Sequence, residues 1–151
     1  MNKKSGFTLI ELLVVIGIIA ALTTVVFVAL DPAKRFRDAR NARRITDTDT
    51  LLGAIHQYIV DTGGLMPAGI GASASQIGSC TTGGATLCGG ASAACIDLAA
   101  TLASNKYIKT NPIDPQVGSA ATTGYSVSKD ANNLFTVTAC LSEGTTISIS
   151  R

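Results

Sequence analysis

From Phe7 to Leu30 the chain is apolar apart from scattered hydroxyls and one carboxylate, Glu11. No other stretch of the sequence restricts the fold so severely. As a helix rising ~1.5 Å per residue the run extends about 36 Å, enough to cross a hydrocarbon layer of ~30 Å. It predicts a single-pass transmembrane helix. A cleaved secretory signal has a shorter apolar core, followed by small residues at the cut. Here no A-x-A pattern follows, and the small pair Ser5-Gly6 stands in front of the run, behind the basic pair Lys3-Lys4. That is an inverted signal, cut before the apolar segment.

A carboxylate in a spanning helix is costly unless it is protonated or partnered. Cleavage between Gly6 and Phe7 creates an α-amine four residues before Glu11, about 6 Å away along a helix. Within one chain that amine partly neutralises the carboxylate. Between two staggered helices the same pair becomes an intermolecular bond, strengthened by a low-dielectric surround. Glu11 is therefore expected to specify assembly, against the plainer reading of a membrane-edge carboxylate reaching for headgroups.

The stretch Lys3-Lys4-Ser5-Gly6-Phe7-Thr8-Leu9-Ile10-Glu11-Leu12 resembles the processing site of the type IV pilin superfamily, which includes the pseudopilins of type II secretion. The resemblance implies cleavage after Gly6 by an inner-membrane prepilin peptidase and N-methylation of the new terminal Phe7. It also implies polymerisation into a filament with other copies and with minor pilins or pseudopilins, on an inner-membrane assembly platform. Glu11 matches the family's assembly glutamate. The expected location is the inner membrane, crossed once, with an extracytoplasmic C-terminal part, and then a periplasmic or cell-surface filament. The charge count runs the other way, since six of the twelve Lys and Arg lie between Lys34 and Arg44 and only two precede the span. The processing motif is the more specific signal.

Five segments are expected. They are a leader over 1–6, a transmembrane and filament-core helix over 7–30, an amphipathic half of the same helix over 31–62, a Gly/Ala/Ser-rich stapled loop with a short helix over 63–106, and a small antiparallel sheet over 107–151. The fold class is α+β, with the long helix packed on the sheet. Pro32 removes a backbone donor and marks a hinge. Beyond it Ile45, Leu52 and Ile59, with Leu51, Ile55 and Tyr58 alongside, recur at helical spacing and predict one core-seeking face. Gly63-Gly64 and then Pro67 end the helix. Tyr58-Ile59-Val60-Asp61-Thr62-Gly63 with Met66-Pro67 resembles the end of the long pseudopilin helix, and Tyr107-Ile108 with Pro112-Ile113-Asp114-Pro115 is similar to the approach to that family's sheet.

The basic cluster after Pro32 raises nucleic-acid contact, as in a DNA-uptake module. Only Arg37, Arg40 and Arg44 share a stripe, however, while Asp31, Asp38 and Asp47 are interleaved, with Asp31–Arg35 and Arg43–Asp47 at i,i+4. No aromatic residues stand among them for base stacking, so a solvated or filament-packing face is expected. The net charge of +2 and the absence of Trp give no support to a strongly basic nucleic-acid binder or an aromatic carbohydrate site.

Cys80, Cys88, Cys95 and Cys140 all lie beyond the apolar run, and their even number fits disulfides in an oxidising compartment. No C-x-x-C is present, and the single histidine, His56, falls on the long helix as an exposed residue, so no metal site is expected. Three pairings are open. The preferred one joins Cys80 to Cys88 and Cys95 to Cys140. A short helix is expected over Ala94–Asn105 and strands over Tyr125–Ser128, Leu134–Leu141 and Thr146–Ser150, with a hairpin turn at Lys129–Asn133. Several major pseudopilins bind calcium in the region of Asp114. Here Asp130 and Glu143 are isolated and the acidic cluster such a site needs is missing, so no cofactor is expected.

No nucleophile elbow, phosphate loop or paired carboxylate in an apolar setting points to catalysis. The sequence thus predicts a filament subunit, not an enzyme. A membrane-anchored adhesin or DNA-uptake binding module is the alternative.

Overall fold

The computed structural model describes residues 6–80, 83, 86–102 and 106–151. It divides into two units, Met1–Arg37 and Asp38–Arg151.

In the first unit, helix α1 spans Leu9–Leu30 and buries none of its residues. Its 22 residues give about 33 Å of helix, long and apolar enough to cross a membrane. The expected long helix forms, with its break at the expected hinge, but it starts two residues later than expected. Phe7 is not helical, because Thr8 has extended backbone and caps the first turn. Asp31 then interrupts the helix in the left-handed region, at φ +38°. Its carboxylate accepts from the Lys34 amide (3.2 Å), which places Pro32 at the first position of a new helix, where a missing N–H costs nothing. Asp31 is thereby spent on the backbone, and no Asp31–Arg35 ion pair occurs among the described residues.

That helix, α2, spans Pro32–Asp61, and the boundary between the units falls within it. Its end is a Schellman turn. The Gly64 amide reaches back to the Ile59 carbonyl (2.8 Å) and the Gly63 amide to Val60 (3.3 Å), with both glycines at positive φ, where a side chain would be strained.

The second unit packs α2 on a five-stranded sheet. The strands are β1 Ser75–Ile77, β2 Ser92–Ile96, β3 Tyr125–Lys129, β4 Phe135–Ala139 and β5 Ile147–Ser150, in the order β2-β1-β3-β4-β5. The sheet is mixed, not purely antiparallel as expected, because β1 and β2 run parallel. Both extra strands come from the segment read as a loop. The expected helix over Ala94–Asn105 is also corrected. Its first three residues belong to β2, Asp97 caps a single turn, α3, over Leu98–Thr101, and Ala103–Asn105 lie outside the described residues. Alternation along β3, β4 and β5 turns Tyr125, Val127, Phe135, Val137, Ala139 and Ile147 inward against Leu51, Leu52 and Ile55 of α2. Ser126, Ser128, Thr136, Thr138, Ser148 and Ser150 line the other face, where Thr136 pairs with Ser150 (2.8 Å) and Thr138 with Ser148 (3.0 Å). The hairpin turn forms where expected, with the Asp130 carboxylate accepting from the Asn132 and Leu134 amides and Asn133 at φ +64°.

The disulfides pair differently from the expectation. They join Cys80 to Cys95 and Cys88 to Cys140, with Cα separations of 4.9 and 4.8 Å. The parallel pairing decides it. Gln76 lies beside Cys95, so the chain leaving β1 carries Cys80 onto Cys95, whose amide donates to the Cys80 carbonyl (2.9 Å). Cys88 and Cys140 then meet beside Ser126 and Thr138 on the hydroxyl face.

Candidate functional site

The N-terminal segment is built by one local motif. Thr8 and Glu11 form a capping box, in which Glu11 Oε2 accepts from both the Thr8 amide (2.8 Å) and the Thr8 hydroxyl (2.7 Å), and the Glu11 amide donates to Thr8 Oγ1 (3.3 Å). The carboxylate is thus folded back toward the start of the helix. Its hydrogen bonds go to Thr8, the residue that follows Phe7. Glu11 Oε1 accepts nothing among the described residues. Phe7 is 82% exposed, and among the described residues nothing lies within 4 Å of a Cβ built on Gly6. Lys3, Lys4 and Ser5 lie outside the described residues. The sequence reading missed the cap, although Thr8-Leu9-Ile10-Glu11 carries its T-x-x-E signature.

A second cluster, within Asp38–Arg151, was not foreseen. Arg44 is fully buried, while Ile45, expected on the core face, is 51% exposed. The other expected residues of that face, Leu51, Leu52, Ile55, Tyr58 and Ile59, do reach the core, and the stripe continues toward the N-terminal end of α2 through Thr48, Arg44 and Asn41. Arg44 donates to both oxygens of buried Asp114, Nε to Oδ2 at 2.6 Å and a terminal nitrogen to Oδ1 at 3.1 Å. It also donates to Asn41 Oδ1 (2.9 Å), Glu143 Oε2 (3.1 Å) and Gln116 Oε1 (3.4 Å). Arg40 grips Glu143 with two further bonds (2.7 and 2.6 Å), and Asn41 holds the Glu143 carbonyl (2.8 Å). Asp114 also accepts from the Gln116 amide (2.9 Å). Gly124 sits at φ +86°, where a Cβ would come within 2.8 Å of that of Asp114, so only glycine lets this loop close.

The charges follow the geometry. Hydrogen bonds from Arg40, helped by Arg44, hold the Glu143 carboxyl down at about 2. Burial pushes Asp114 up, but the Arg44 guanidinium and the Gln116 amide outweigh it and leave its pKa below the ordinary value. Hydrogen bonding to Asp114 raises Arg44 against the penalty of burial. Beside them Tyr125 donates to Asp47 (2.7 Å), and burial together with that carboxylate raises the phenol. Arg43 and Asp47 form the expected i,i+4 pair at 3.7 Å. His56 is half-buried, not exposed, with Nε2 at 3.3 Å from the Arg151 carbonyl oxygen. Nucleophile, base and oxyanion donors do not converge anywhere among these contacts.

Residues 1–27 match the family model for the prokaryotic N-terminal methylation motif. No curated protein and no solved structure matches the chain. The chain therefore carries the prepilin leader of type IV pilins and pseudopilins, which are structural subunits. The long N-terminal apolar helix followed by a small sheet is a pilin-like α+β architecture. That leader implies, in general terms, prepilin-peptidase processing and pilin-type assembly, and with a single apolar helix it fits membrane anchoring.

Proposed function

We propose that this chain is a pilin or pseudopilin, cut between Gly6 and Phe7, methylated on the Phe7 amine, and polymerised into a type IV pilus or type II secretion pseudopilus. The observation that carries the reading is α1, which heads the chain behind a prepilin leader, buries no residue of its own and bears the single charge of Glu11. So large an apolar surface needs a non-aqueous surround. Lipid provides it before assembly, with the helix crossing the inner membrane once, and neighbouring copies of α1 provide it afterwards. Glu11 then meets the Phe7 amine of an adjacent subunit. The two disulfides support an extracytoplasmic place for the second unit. Of the three stripe arginines, Arg40 and Arg44 are engaged by Glu143 and Asp114, which favours the structural reading over a DNA-uptake module. The test is co-expression of the full chain with a prepilin peptidase and an assembly platform. An N-methylated Phe7 terminus by mass spectrometry, and filaments labelled by antibody to this chain, are expected. A processed chain that stays in the membrane as a monomer overturns the filament role.

A further inference from the structure

Five side-chain oxygens from four residues surround one buried cation: Asp114 Oδ1 and Oδ2, Asn41 Oδ1, Glu143 Oε2 and Gln116 Oε1. A guanidinium has five N–H donors, so Arg44 can meet each oxygen with one of them. The oxygens come from α2, from the turn around Asp114 and from the segment after β4, three stretches far apart in sequence. Asp114 is the residue at which the resemblance implies calcium, and that ion does not fit. Calcium takes six to eight oxygens at roughly 2.3–2.6 Å, mostly from carboxylates. Here both Asp114 oxygens are already bonded to Arg44, and no group of three or more His, Cys, Asp or Glu side chains gathers among the described residues. Charge points the same way. Two guanidinium groups, Arg40 and Arg44, face two carboxylates, Asp114 and Glu143, so the cluster is neutral as built and an added divalent ion would leave it strongly positive.

We infer that Arg44 is the built-in cation of this oxygen cage, a tethered replacement for a metal ion, which joins the Asp114 turn and the Glu143 segment to α2 without any divalent ion. The inference is independent of the filament reading.

The test uses the full chain in detergent micelles, stripped of metal. Wild type should show no heat on titration with CaCl2 and the same melting temperature in EDTA and in calcium. Arg44→Ala should melt lower than wild type, and calcium should restore none of the loss. Calcium binding by wild type that Asp114→Asn removes overturns the inference, and so does a folded Arg44→Ala that loses no stability. Arg44→Lys and Arg44→Gln guard against a variant too damaged to fold. The lysine, which keeps a cation in the cage, should melt closer to wild type than the neutral glutamine, and equal losses in the two overturn the role of the charge.

Discussion

Glu11 accepts two hydrogen bonds from Thr8, one from its amide and one from its hydroxyl, and so closes the first turn of α1 within a single chain. The carboxylate therefore has a local task that any assembly role must be separated from. Two substitutions separate them. Glutamine at the same position still fills a capping box, whereas alanine removes both bonds. Glu11→Gln should be cleaved and inserted into the membrane like wild type, yet yield sheared filaments only at background level by electron microscopy, as should Glu11→Ala. Normal filaments from Glu11→Gln with none from Glu11→Ala would reduce Glu11 to a cap.

Processing is open to a single substitution. Gly6 adds no side chain beside the Gly6–Phe7 bond, where the cut is proposed. Gly6→Leu should block the cut. Intact-mass analysis of the membrane-bound protein should then show the leader retained, and a mature mass that starts anywhere other than Phe7 in wild type would contradict the proposed site.

The two disulfides should contribute unequally. Their sequence separations are 15 for Cys80–Cys95 and 52 for Cys88–Cys140. In the chain-entropy account, loops of these lengths correspond to about 3 and about 4 kcal/mol. Cys88→Ser/Cys140→Ser should therefore lower the melting temperature more than Cys80→Ser/Cys95→Ser, with a drop on the order of 10 °C. Non-reducing peptide mapping should recover the Cys80–Cys95 and Cys88–Cys140 peptides, with no alkylated thiol. A Cys80–Cys88 peptide would refute the pairing.

Local signals carried much of this fold. Pro32 behind Asp31, Gly63-Gly64 after Thr62 and the Asp130–Asn133 turn each act through the nearest backbone, so they were readable one by one. The alternating strands β3, β4 and β5 were readable for the same reason. What escaped depends on partners far along the chain. Ser75-Gln76-Ile77 shows no alternation long enough to mark a strand, and it becomes one because β2 and β3 flank it. The disulfide pairing follows from that placement and from nothing nearer. Arg44 escaped because apolar periodicity has no means of assigning a charge to a core position. Asp114, 70 residues away, makes the position tolerable, and Ile45 turns outward as a result. The processing motif is legible because it is recognised as sequence, whereas the Thr8–Glu11 cap depends on the helix starting at Leu9, two residues later than the apolar run suggests.

The Glu143 segment gives the last prediction, in acid. Arg40 and Arg44 lower the folded-state pKa of Glu143 from its ordinary 4.5 to about 2, and Asp114 is lowered as well. For a depressed carboxyl the unfolded chain binds the proton first, so between those two values the unfolded state holds more protons and stability rises with pH. The contribution is fully present above about pH 4.5, fades as the pH falls, and is gone once both states are protonated near pH 2. Melting temperatures of wild type should therefore fall steeply across this window. Glu143→Gln should start lower at neutral pH, because Arg40 and Arg44 lose a charged partner, and should then change less with acid, the depressed Asp114 and Asp61 carboxyls supplying the residual slope. Added salt should reduce the difference between the two proteins at neutral pH, since the Arg40–Glu143 pair is partly exposed, at 29% and 20%. Melting curves followed by near-ultraviolet circular dichroism from pH 7 to pH 2 decide it. Parallel pH profiles for wild type and Glu143→Gln would show that Glu143 does not couple the segment after β4 to α2.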